Sequence, residues 1–328
     1  MSTALAYRRE SVTSFNTAAL LYSSLKRQSK RASVSEGSRL TTKRATKQHL
    51  ANLLLQVGAY DVAAKVRGCC AKYGYLTCGR HVHSRVPTSR CRFILCPDCA
   101  TERQGRAFRR LLPVLRDYQR RNPHDTPVLL TLTVASSHAR LAIVHKQFKS
   151  WFRRLRRTVK WQHRIRAGVC GFEVTYSPVH GWHYHVHVLA FRKVWYPQAE
   201  LAAQWQRATK GAGVVVDIRE VEGRDIGSGL SEVLKYCFKP ADVALYGDEQ
   251  VRDFVAMKGA RFGETIGELV HWKLEDDNDA GEYEELTIGS PCPDCGEPLR
   301  YETSSREDME AIMGGHLRMV RNRHGTVH

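Results

Sequence analysis

The sequence predicts an α+β fold, in which helices cover one face of a mostly antiparallel sheet and a zinc-binding segment precedes the sheet. Two runs rich in β-branched and aromatic residues, GVCGFEVTYS and WHYHVHVLAF, flank a Pro/Gly break and predict a β-hairpin. Helix-like and strand-like patterns alternate around this hairpin over residues 105–240. Upstream, four cysteines have the spacing of metal ligands.

The N-terminal 45 residues are rich in Ser, Thr, Lys and Arg and poor in large apolar groups. This composition predicts a flexible basic arm that could touch DNA. Over residues 45–66, apolar residues recur at broadly helical spacing, so one or two helices are expected there. These helices either pack against the following segment or bind DNA as an accessory element, and packing is the preferred interpretation.

Ten cysteines favour metal binding over disulfides in a chain that we expect to be intracellular. One group follows the spacing C-x12-C-x4-C-x2-C and comprises Cys78, Cys91, Cys96 and Cys99. We predict that these thiolates close a tetrahedral structural zinc site within residues 46–104. His81 or His83 could replace Cys78, and the pair Cys69-Cys70 supplies further candidates. Because a closed site leaves no position for substrate, catalysis is not expected there.

Residues 105–240 are predicted to form the main domain. In chain order, its elements are a strand (127–135), a helix (137–159), the hairpin (169–191), a helix (197–210), a strand (214–221) and a last helix (229–239). Ser228 or Ser231 is expected to cap the last helix, and Pro240 to end it. A tight turn makes the hairpin strands antiparallel.

The second hairpin strand carries His183, His185 and His187 at alternate positions, hence on one face. If residues 177–181 form the loop, Glu173 lies opposite His185, with Cβ atoms roughly 4.5–5.5 Å apart. Glu173, His185 and His187 could then hold one divalent cation such as Mg²⁺ or Mn²⁺, with His183 as a fourth candidate. A one-residue slip would move Glu173 to the other face. The alternative is a solvated strand face with chance histidines.

In the last helix, Glu232 and Tyr236 stand four residues apart, and Lys239 follows three residues later, so all three share a face. A phenol has an ordinary pKa of about 10, so it needs a nearby cation to act as a nucleophile. Lys235 and Lys239 could supply that charge. Alone, the pattern also fits a surface helix with one buried tyrosine, but beside the histidine strand it predicts a catalytic site.

Two segments follow the main domain. Residues 241–290 include the acidic run LEDDNDAGEYEEL and are predicted to be a linker. Residues 291–328 form a tail with a second Cys-Pro-Asp-Cys, in which Cys292 and Cys295 are half of a zinc ribbon. Its other half could come from a second molecule, could be absent, or could come from His316, His324 and His328.

The chain has 328 residues and a formal net charge of +18, which indicates a nucleic-acid partner. Lys and Arg are dense over residues 106–121 and 149–166. In the second segment, the aromatic rings either stack on bases or belong to an amphipathic helix whose Phe148, Trp151, Phe152 and Leu155 face the sheet; the helix is preferred. No apolar stretch approaches the roughly 20 residues that a membrane span needs, so we expect a cytoplasmic protein without a membrane partner.

These motifs in this order resemble the rolling-circle plasmid replication initiators (Rep proteins) of the HUH endonuclease superfamily. The resemblance rests on an apolar strand (129–133), on Phe172-Glu-Val-Thr-Tyr176, on the pair His185 and His187, and on Glu232, Tyr236 and Lys239. It covers about residues 78–239 and favours the branch with one tyrosine plus a glutamate. Relatives often have proline where this chain has Tyr184, a position that faces away from the histidines. The cysteine group resembles one found upstream of the catalytic domain in these initiators.

The resemblance implies a palm-like HUH fold and a metal-dependent nickase acting at a double-strand origin. Tyr236 would attack the scissile phosphate, leaving a 5′-phosphotyrosine and a free 3′-hydroxyl as primer. Glu232 would activate water at termination, when the DNA is resealed or released. A host helicase and polymerase are expected partners. ATP is not expected as a cofactor, because the sequence has no Gly-rich phosphate loop with Lys.

Two other functions fit the same residues less well. A conjugative relaxase or a single-tyrosine transposase of the same superfamily would share the metal and the tyrosine. A non-catalytic, zinc-dependent DNA-binding regulator would need neither, and it predicts that Tyr236→Phe and His185→Ala leave every activity intact.

Overall fold

The computed structural model describes residues 36–237, 243, 246–271, 288–306, 308 and 309, and only the backbone at 36–42, 84–86, 236 and 237. Its helices are α1 (Glu36–Gln56), α2 (Tyr60–Arg67), α3 (Pro97–Arg121), α4 (Leu141–Arg156), α5 (Val159–Arg164), α6 (Gln198–Ala208), α7 (Ile226–Cys237) and α8 (Asp248–Ala256). Its strands are β1 (Lys72–Thr77), β2 (Val82–Pro87), β3 (Thr126–Val134), β4 (Ile165–Ser177), β5 (Gly181–Arg192), β6 (Gly213–Glu220), β7 (Gly263–Gly267) and β8 (Arg300–Ser305).

The larger sheet has five strands in the order β6-β3-β5-β4-β7, and every neighbouring pair is antiparallel. The long hairpin β4–β5 forms its centre, with β3 beside β5 and β6 outside β3. The predicted strands at 127–135 and 214–221 therefore exist within one or two residues of their expected bounds. The mixed α+β class with an antiparallel sheet is confirmed.

Helices cover both faces of this sheet, whereas the sequence predicted one covered face. On β5, Tyr184, Val186 and Val188 face a core that contains Phe148 and Phe152 of α4 and Trp205 of α6. Leu189 and Phe191 face the opposite core, to which α3 contributes Leu115 and Tyr118, and α7 contributes Leu230, Val233 and Leu234. The expectation failed because α3 and α7 lie far apart in sequence and bury narrow apolar stripes that do not reveal which face they cover.

The sequence predicted one helix over residues 137–159, but the structure has two helices in this arginine-rich region, α4 and α5. Arg157 ends α4, and Thr158 starts α5 by accepting a hydrogen bond at its hydroxyl from the Trp161 backbone N–H (3.3 Å). Phe148, Phe152 and Leu155 are fully buried and Trp151 is partly buried, so the preferred interpretation of an amphipathic helix is confirmed.

The predicted linker over residues 241–290 contains structure. Helix α8 lies within it, and β7 adds to the edge of the sheet beside β4. The buried Asp253 of α8 accepts hydrogen bonds from the Leu141 backbone N–H (2.8 Å) and the Trp182 indole N–H (3.2 Å). The linker expectation is therefore wrong for residues 246–271, while the acidic run from Leu274 lies outside the described residues.

A second, three-stranded sheet has the order β2-β1-β8 and joins segments from both ends of the chain. Residues Thr46–His328 form one compact unit. Over residues 45–66, where one or two helices were expected, the structure has α1 and α2, and the full burial of Leu50, Leu54 and Val66 supports packing. Of the predicted basic arm, residues 36–45 belong to α1 and the rest lies outside the described residues.

Among the described residues, no helix is both long and apolar enough to cross a membrane.

Candidate functional site

The hairpin β4–β5 has the predicted register. Glu173 pairs with His185, Val174 with Tyr184, and Thr175 with His183, and the pairing ends at Ser177 and Gly181. Gly181 closes the turn with a positive φ of 77°, a conformation that glycine adopts without strain. The three histidines are half-buried on one face, while Tyr184 and Val186 are fully buried on the other. The alternation that the sequence predicted is therefore confirmed.

Hydroxyl groups hold all three histidines by the same ring atom. Thr131 Oγ1 lies 3.1 Å from His187 Nδ1, and Thr133 Oγ1 lies 3.1 Å from His185 Nδ1. Both threonines sit directly opposite their histidines on β3. After β3, Ser136 Oγ lies 3.1 Å from His183 Nδ1. Because the Nδ1 atoms are engaged, the Nε2 atoms are the ones available to bind a ligand.

Glu173 joins the two histidines of the predicted metal set. Its Oε2 atom lies 3.1 Å from His187 Nε2, and the residue is only 8 % exposed. Gly171, directly opposite His187, has no side chain, so Glu173 reaches His187 diagonally. Adjacent ligands in an octahedral shell with bonds of about 2.1 Å are separated by about 3.0 Å, close to the observed distance. The distance between Glu173 and His187 is therefore compatible with two ligands of one divalent ion.

The candidate ligand atoms of Glu173, His185 and His187 lie farther apart than those of a closed metal site. Among the described residues, the groups whose ligand atoms all lie within 4.8 Å of one another are found around the cysteines, and Glu173, His185 and His187 are not such a group. The His185 and His187 rings are stacked with centroids 6.0 Å apart. Binding of one ion by all three side chains would therefore require them to move closer together.

Helix α7, which carries Glu232, packs on the histidine face of the sheet. Leu230, Val233 and Leu234 share a core cluster with Leu189, and Leu189 follows His187 by two residues on the same face of β5. Gly229 lies directly on this residue, since a Cβ there would come within 2.9 Å of Leu189 Cδ1. The helix and the histidines are therefore brought to one side of the sheet.

The start of α7 differs from the expectation. The helix begins at Ile226, and Asp225 caps it by accepting a hydrogen bond from the Gly227 backbone N–H (2.9 Å). Ser228 and Ser231 lie inside the helix, so the predicted caps are wrong: the apolar stripe was counted from Leu230 and missed the first turn, which contains two glycines.

Of the predicted catalytic residues, the structure describes Glu232 in full. Its carboxylate lies 3.7 Å from Lys235 Nζ, and the residue is half-buried. Tyr236 belongs to α7 one turn after Glu232, but its side chain lies outside the described atoms. Lys239 and Pro240 lie wholly outside the described residues.

The first cysteine cluster comprises Cys69, Cys91, Cys96 and Cys99. Cys69 Sγ lies 3.4 Å from Cys99 Sγ, and Cys91 Sγ lies 3.6 Å from Cys99 Sγ. Hydrogen bonds from the thiols of Cys70 and Cys91 lower the pKa of Cys69 and favour its thiolate, whereas the same hydrogen bonds raise the pKa of Cys70 and Cys91. These four thiols could hold a metal ion such as zinc.

The predicted set of zinc ligands was wrong in one member. Cys78 belongs to a second cluster with His81, Cys292 and Cys295, and Cys69 takes its place in the first. The reason is the β1–β2 hairpin: it carries Cys78 to its tip, away from α3, whose first turn holds Cys99. The side chains that lie beside the C-terminal cysteine pair are thus those of Cys78 and His81, while His316, His324 and His328 lie outside the described residues.

A scan against protein-family models identifies the family. Residues 84–288, more than half of the chain, match the model Rep_1, described as "Replication protein". The chain belongs to this family of replication proteins. No curated protein and no solved structure matches the chain. Membership in the family implies a role in the initiation of plasmid replication and indicates DNA as the partner.

One surface of this replication protein suits a DNA backbone. A cleft beside α4 and α5 is lined by Arg153, Arg157, His163 and Lys193. Within the part of the chain that the structure describes, the side chains of Arg153 and Arg157 form no hydrogen bond or ion pair. By contrast, Arg156 is paired with Glu264 (3.0 Å) and Arg166 with Glu268 (2.8 Å). The unpaired arginines keep their donors for phosphates.

Sequence reasoning missed the hydroxyl groups behind the histidines and one carboxylate. Asp217 of β6 pairs with Thr131, and Thr131 pairs with His187, so Asp217 shares the histidine face two strands away. Alternation along β3 could have placed Thr131 and Thr133 on one face, but the register between β3 and β5 could not be read from the sequence.

Proposed function

We propose that this replication protein nicks one strand at the double-strand origin of a plasmid and starts rolling-circle replication. Family membership supports initiation of replication. One observation carries the nicking step: Glu173 is paired with His185 and in contact with His187, on the sheet face that α7 covers. A regulator without catalysis would have no use for this arrangement on one face.

In this proposal, His185, His187 and Glu173 hold a divalent ion such as Mg²⁺ or Mn²⁺, with His183 as a fourth candidate. When bound, the ion would neutralise charge on the scissile phosphate. Thr131 and Thr133 orient the imidazoles through Nδ1 and direct Nε2 towards the site. The protein's contribution here is orientation of three ligands by a rigid sheet.

Tyr236 is the proposed nucleophile. Its phenolic oxygen gives up its proton and bonds to phosphorus, and the bond to the 3′-oxygen breaks. The products are a 5′-phosphotyrosine and, once the 3′-oxygen has taken a proton, a 3′-hydroxyl that polymerase can extend. Lys239 is assigned the role of favouring the phenolate by its charge. Because the phosphotyrosine conserves the energy of the phosphodiester bond, the same site can also reseal DNA.

Glu232 is the proposed base of termination. Its carboxylate would take a proton from the water that attacks the phosphotyrosine, which releases the protein from DNA. Its half-buried position on α7, one turn before Tyr236, supports this role. A host helicase and polymerase complete the proposed set of partners.

The first experiment incubates the full chain with supercoiled plasmid that carries its own replicon, with Mn²⁺ or Mg²⁺ and with chelator. Wild type is expected to form nicked circles and a denaturant-resistant protein–DNA adduct, both lost in chelator and in Tyr236→Phe. Tyr60→Phe is the matched control, since Tyr60 is an exposed tyrosine of α2. Binding without nicking under any ion would favour the regulator, and an adduct in Tyr236→Phe would identify another nucleophile.

A second variant separates initiation from termination. Glu232→Gln is expected to keep the first nick but to accumulate the covalent adduct, because water is no longer activated. Glu249→Gln, an exposed glutamate of α8, should release DNA as the wild type does. Equal release by Glu232→Gln and the wild type would remove Glu232 from the proposed mechanism.

A further inference from the structure

Two hairpin tips meet at one end of the three-stranded sheet. The first tip, residues 78–81, joins β1 to β2, and the second, residues 292–296, lies just before β8. Thr77 at the end of β1 pairs with Arg300 at the start of β8, so both tips extend from the same edge. Their closest sulfur atoms belong to residues separated by 217 positions in the sequence.

Each tip has the backbone hydrogen bonding of a zinc knuckle. In the first, the His81 backbone N–H donates to Cys78 Sγ (3.3 Å), and Gly79 has a φ of +91°. In the second, the Gly296 backbone N–H donates to the Cys292 carbonyl (2.8 Å), and Gly296 has a φ of +75°. Positive φ values at these glycines turn the chain so that paired ligands face one point. Two such tips facing each other form the arrangement of a zinc ribbon.

The ligand atoms are spaced as a tetrahedral zinc site requires. Zinc–sulfur bonds of about 2.3 Å and zinc–nitrogen bonds of about 2.0–2.1 Å place sulfurs about 3.8 Å apart, and sulfur and nitrogen about 3.6 Å apart. Cys78 Sγ lies 3.6 Å from Cys295 Sγ, and His81 Nδ1 lies 3.5 Å from the sulfurs of both Cys78 and Cys292. All three cysteines are free thiols. Three thiolates and one imidazole are a ligand set that zinc prefers in structural sites.

An overlapping set of His81, His83, Cys292 and Asp294 also lies within 4.8 Å. It offers zinc one thiolate in place of three. His83 Nε2 lies 3.1 Å from Cys292 Sγ, a distance that suits an N–H donor to a thiolate that is itself bound to metal. In addition, the hydrogen bond from the His81 backbone N–H to Cys78 Sγ would not support a metal site in this overlapping set, because Cys78 is not one of its ligands.

We propose that Cys78, His81, Cys292 and Cys295 bind a second structural zinc ion, forming a zinc ribbon split between the two sides of the catalytic domain. One knuckle precedes the domain in sequence and the other follows it. The ion therefore fastens the segment after the catalytic domain to the segment before it and closes the intervening chain into a loop. This site does not depend on the proposed nicking activity.

The test counts zinc per chain in the full-length protein, purified and dialysed against excess Mg²⁺, by elemental analysis. Wild type is expected to hold two zinc ions. Cys295→Ser should lose one, and Cys295→His, which restores a ligand, should regain it. Cys295 is exposed, so its replacement does not disturb a core. Comparison between variants cancels any ion on the histidine strand.

Control variants decide between the two ligand sets. The double variant His83→Gln/Asp294→Asn should keep both ions if the proposal is correct, and Cys96→Ser should lose the other ion. With Co²⁺ in place of zinc, Cys295→Ser should lose part of the sulfur-to-cobalt charge-transfer absorption. A single zinc ion in wild type, or loss of an ion in His83→Gln/Asp294→Asn with both retained in Cys295→Ser, would overturn the proposal.

Discussion

At the scale of single residues, the hydroxyl contacts decide how the histidines of β5 can act. A Thr131 hydroxyl 3.1 Å from His187 Nδ1 fixes the ring and selects the nitrogen that faces the site. Removing such a contact leaves the ligand in place but frees its orientation. The effect should therefore appear in the affinity for the ion and only secondarily in the maximal rate.

Thr131→Val tests this role. The substitution keeps the shape of the side chain and removes only the hydroxyl, so we expect the Mn²⁺ concentration for half-maximal nicking to rise about 10- to 100-fold. Nicking is measured over a Mn²⁺ titration. Thr303→Val, an exposed threonine of β8, serves as the control. A lower nicking rate at saturating Mn²⁺ with an unchanged titration midpoint would contradict the prediction.

His145 gives the fold a dependence on pH. Its Nδ1 contacts the buried Tyr184 hydroxyl, and burial, with a smaller contribution from Lys149, lowers the pKa of His145 to about 4. The unfolded chain binds a proton near pH 6.5, whereas the folded chain does so only near pH 4. Stability is therefore fully present above about pH 6.5 and is lost as pH falls towards 4.

We expect this single group to cost about 1–3 kcal/mol of unfolding free energy between pH 7 and pH 4.5, a range that allows for its partial exposure. Urea denaturation at several pH values measures it. In His145→Phe, whose ring suits the contacts with Phe172 and Phe262, the slope over this window should shrink. The exposed His138→Gln should keep the wild-type slope. An unchanged slope in His145→Phe would assign the acid sensitivity to other groups.

At the scale of elements, the hairpin was predictable and the cysteine partners were not. Strict alternation puts Tyr184 and Val186 on one face and Glu173 on the face of the histidines, and the short Pro/Gly loop then favours the observed pairing of Glu173 with His185. The partner of Cys292 lies more than 200 residues away, and no local spacing encodes a contact at that separation. Helix α8 was missed because its sequence, DEQVRDFVA, has only a few apolar residues, such as Val251 and Phe254, among charged ones.

Asp253 connects α8 to the elements of the five-stranded sheet. This buried carboxylate satisfies the first turn of α4 through the Leu141 N–H and the indole of Trp182 at the start of β5. Asp253→Ala leaves both donors unpaired and also removes the ion pair with Arg140, so we expect the free energy of unfolding to fall by about 2–4 kcal/mol. Urea denaturation measures this loss. Asp248→Ala, exposed on the same helix, should change it by less than about 0.5 kcal/mol. Equal effects would mean that α8 does not fold with the sheet.

At the scale of the whole molecule, composition predicted the partner better than it predicted the boundaries. A net charge of +18 indicated nucleic acid, and the family match agrees with it. The predicted domain boundary at residue 240 is wrong because β7, which lies after it, belongs to the larger sheet. The other four strands of that sheet all lie before residue 221. Strand β8 likewise pairs with β1, although all five strands of the larger sheet lie between them in the sequence. Sequence patterns describe elements, but the order of strands in a sheet depends on contacts between distant segments.

The attachment of β8 can be tested away from any metal. Arg306, at the end of this strand, donates from Nη1 to both oxygens of the buried Asp98 (3.0 Å each), and Lys47 Nζ lies 3.2 Å from the same carboxylate. Arg306→Ala leaves Asp98 buried with only one cation. Removing one partner of a buried ion pair costs about 3–5 kcal/mol, and because Lys47 remains, we expect a loss of about 2–3 kcal/mol.

The matched control is Arg300→Ala on the same strand, whose exposed side chain pairs with Glu302 and should contribute less than about 1 kcal/mol. Urea denaturation monitored by circular dichroism measures both variants. If Arg306→Ala costs no more than Arg300→Ala, the segment after the five-stranded sheet unfolds separately and does not form one cooperative unit with the segment before it.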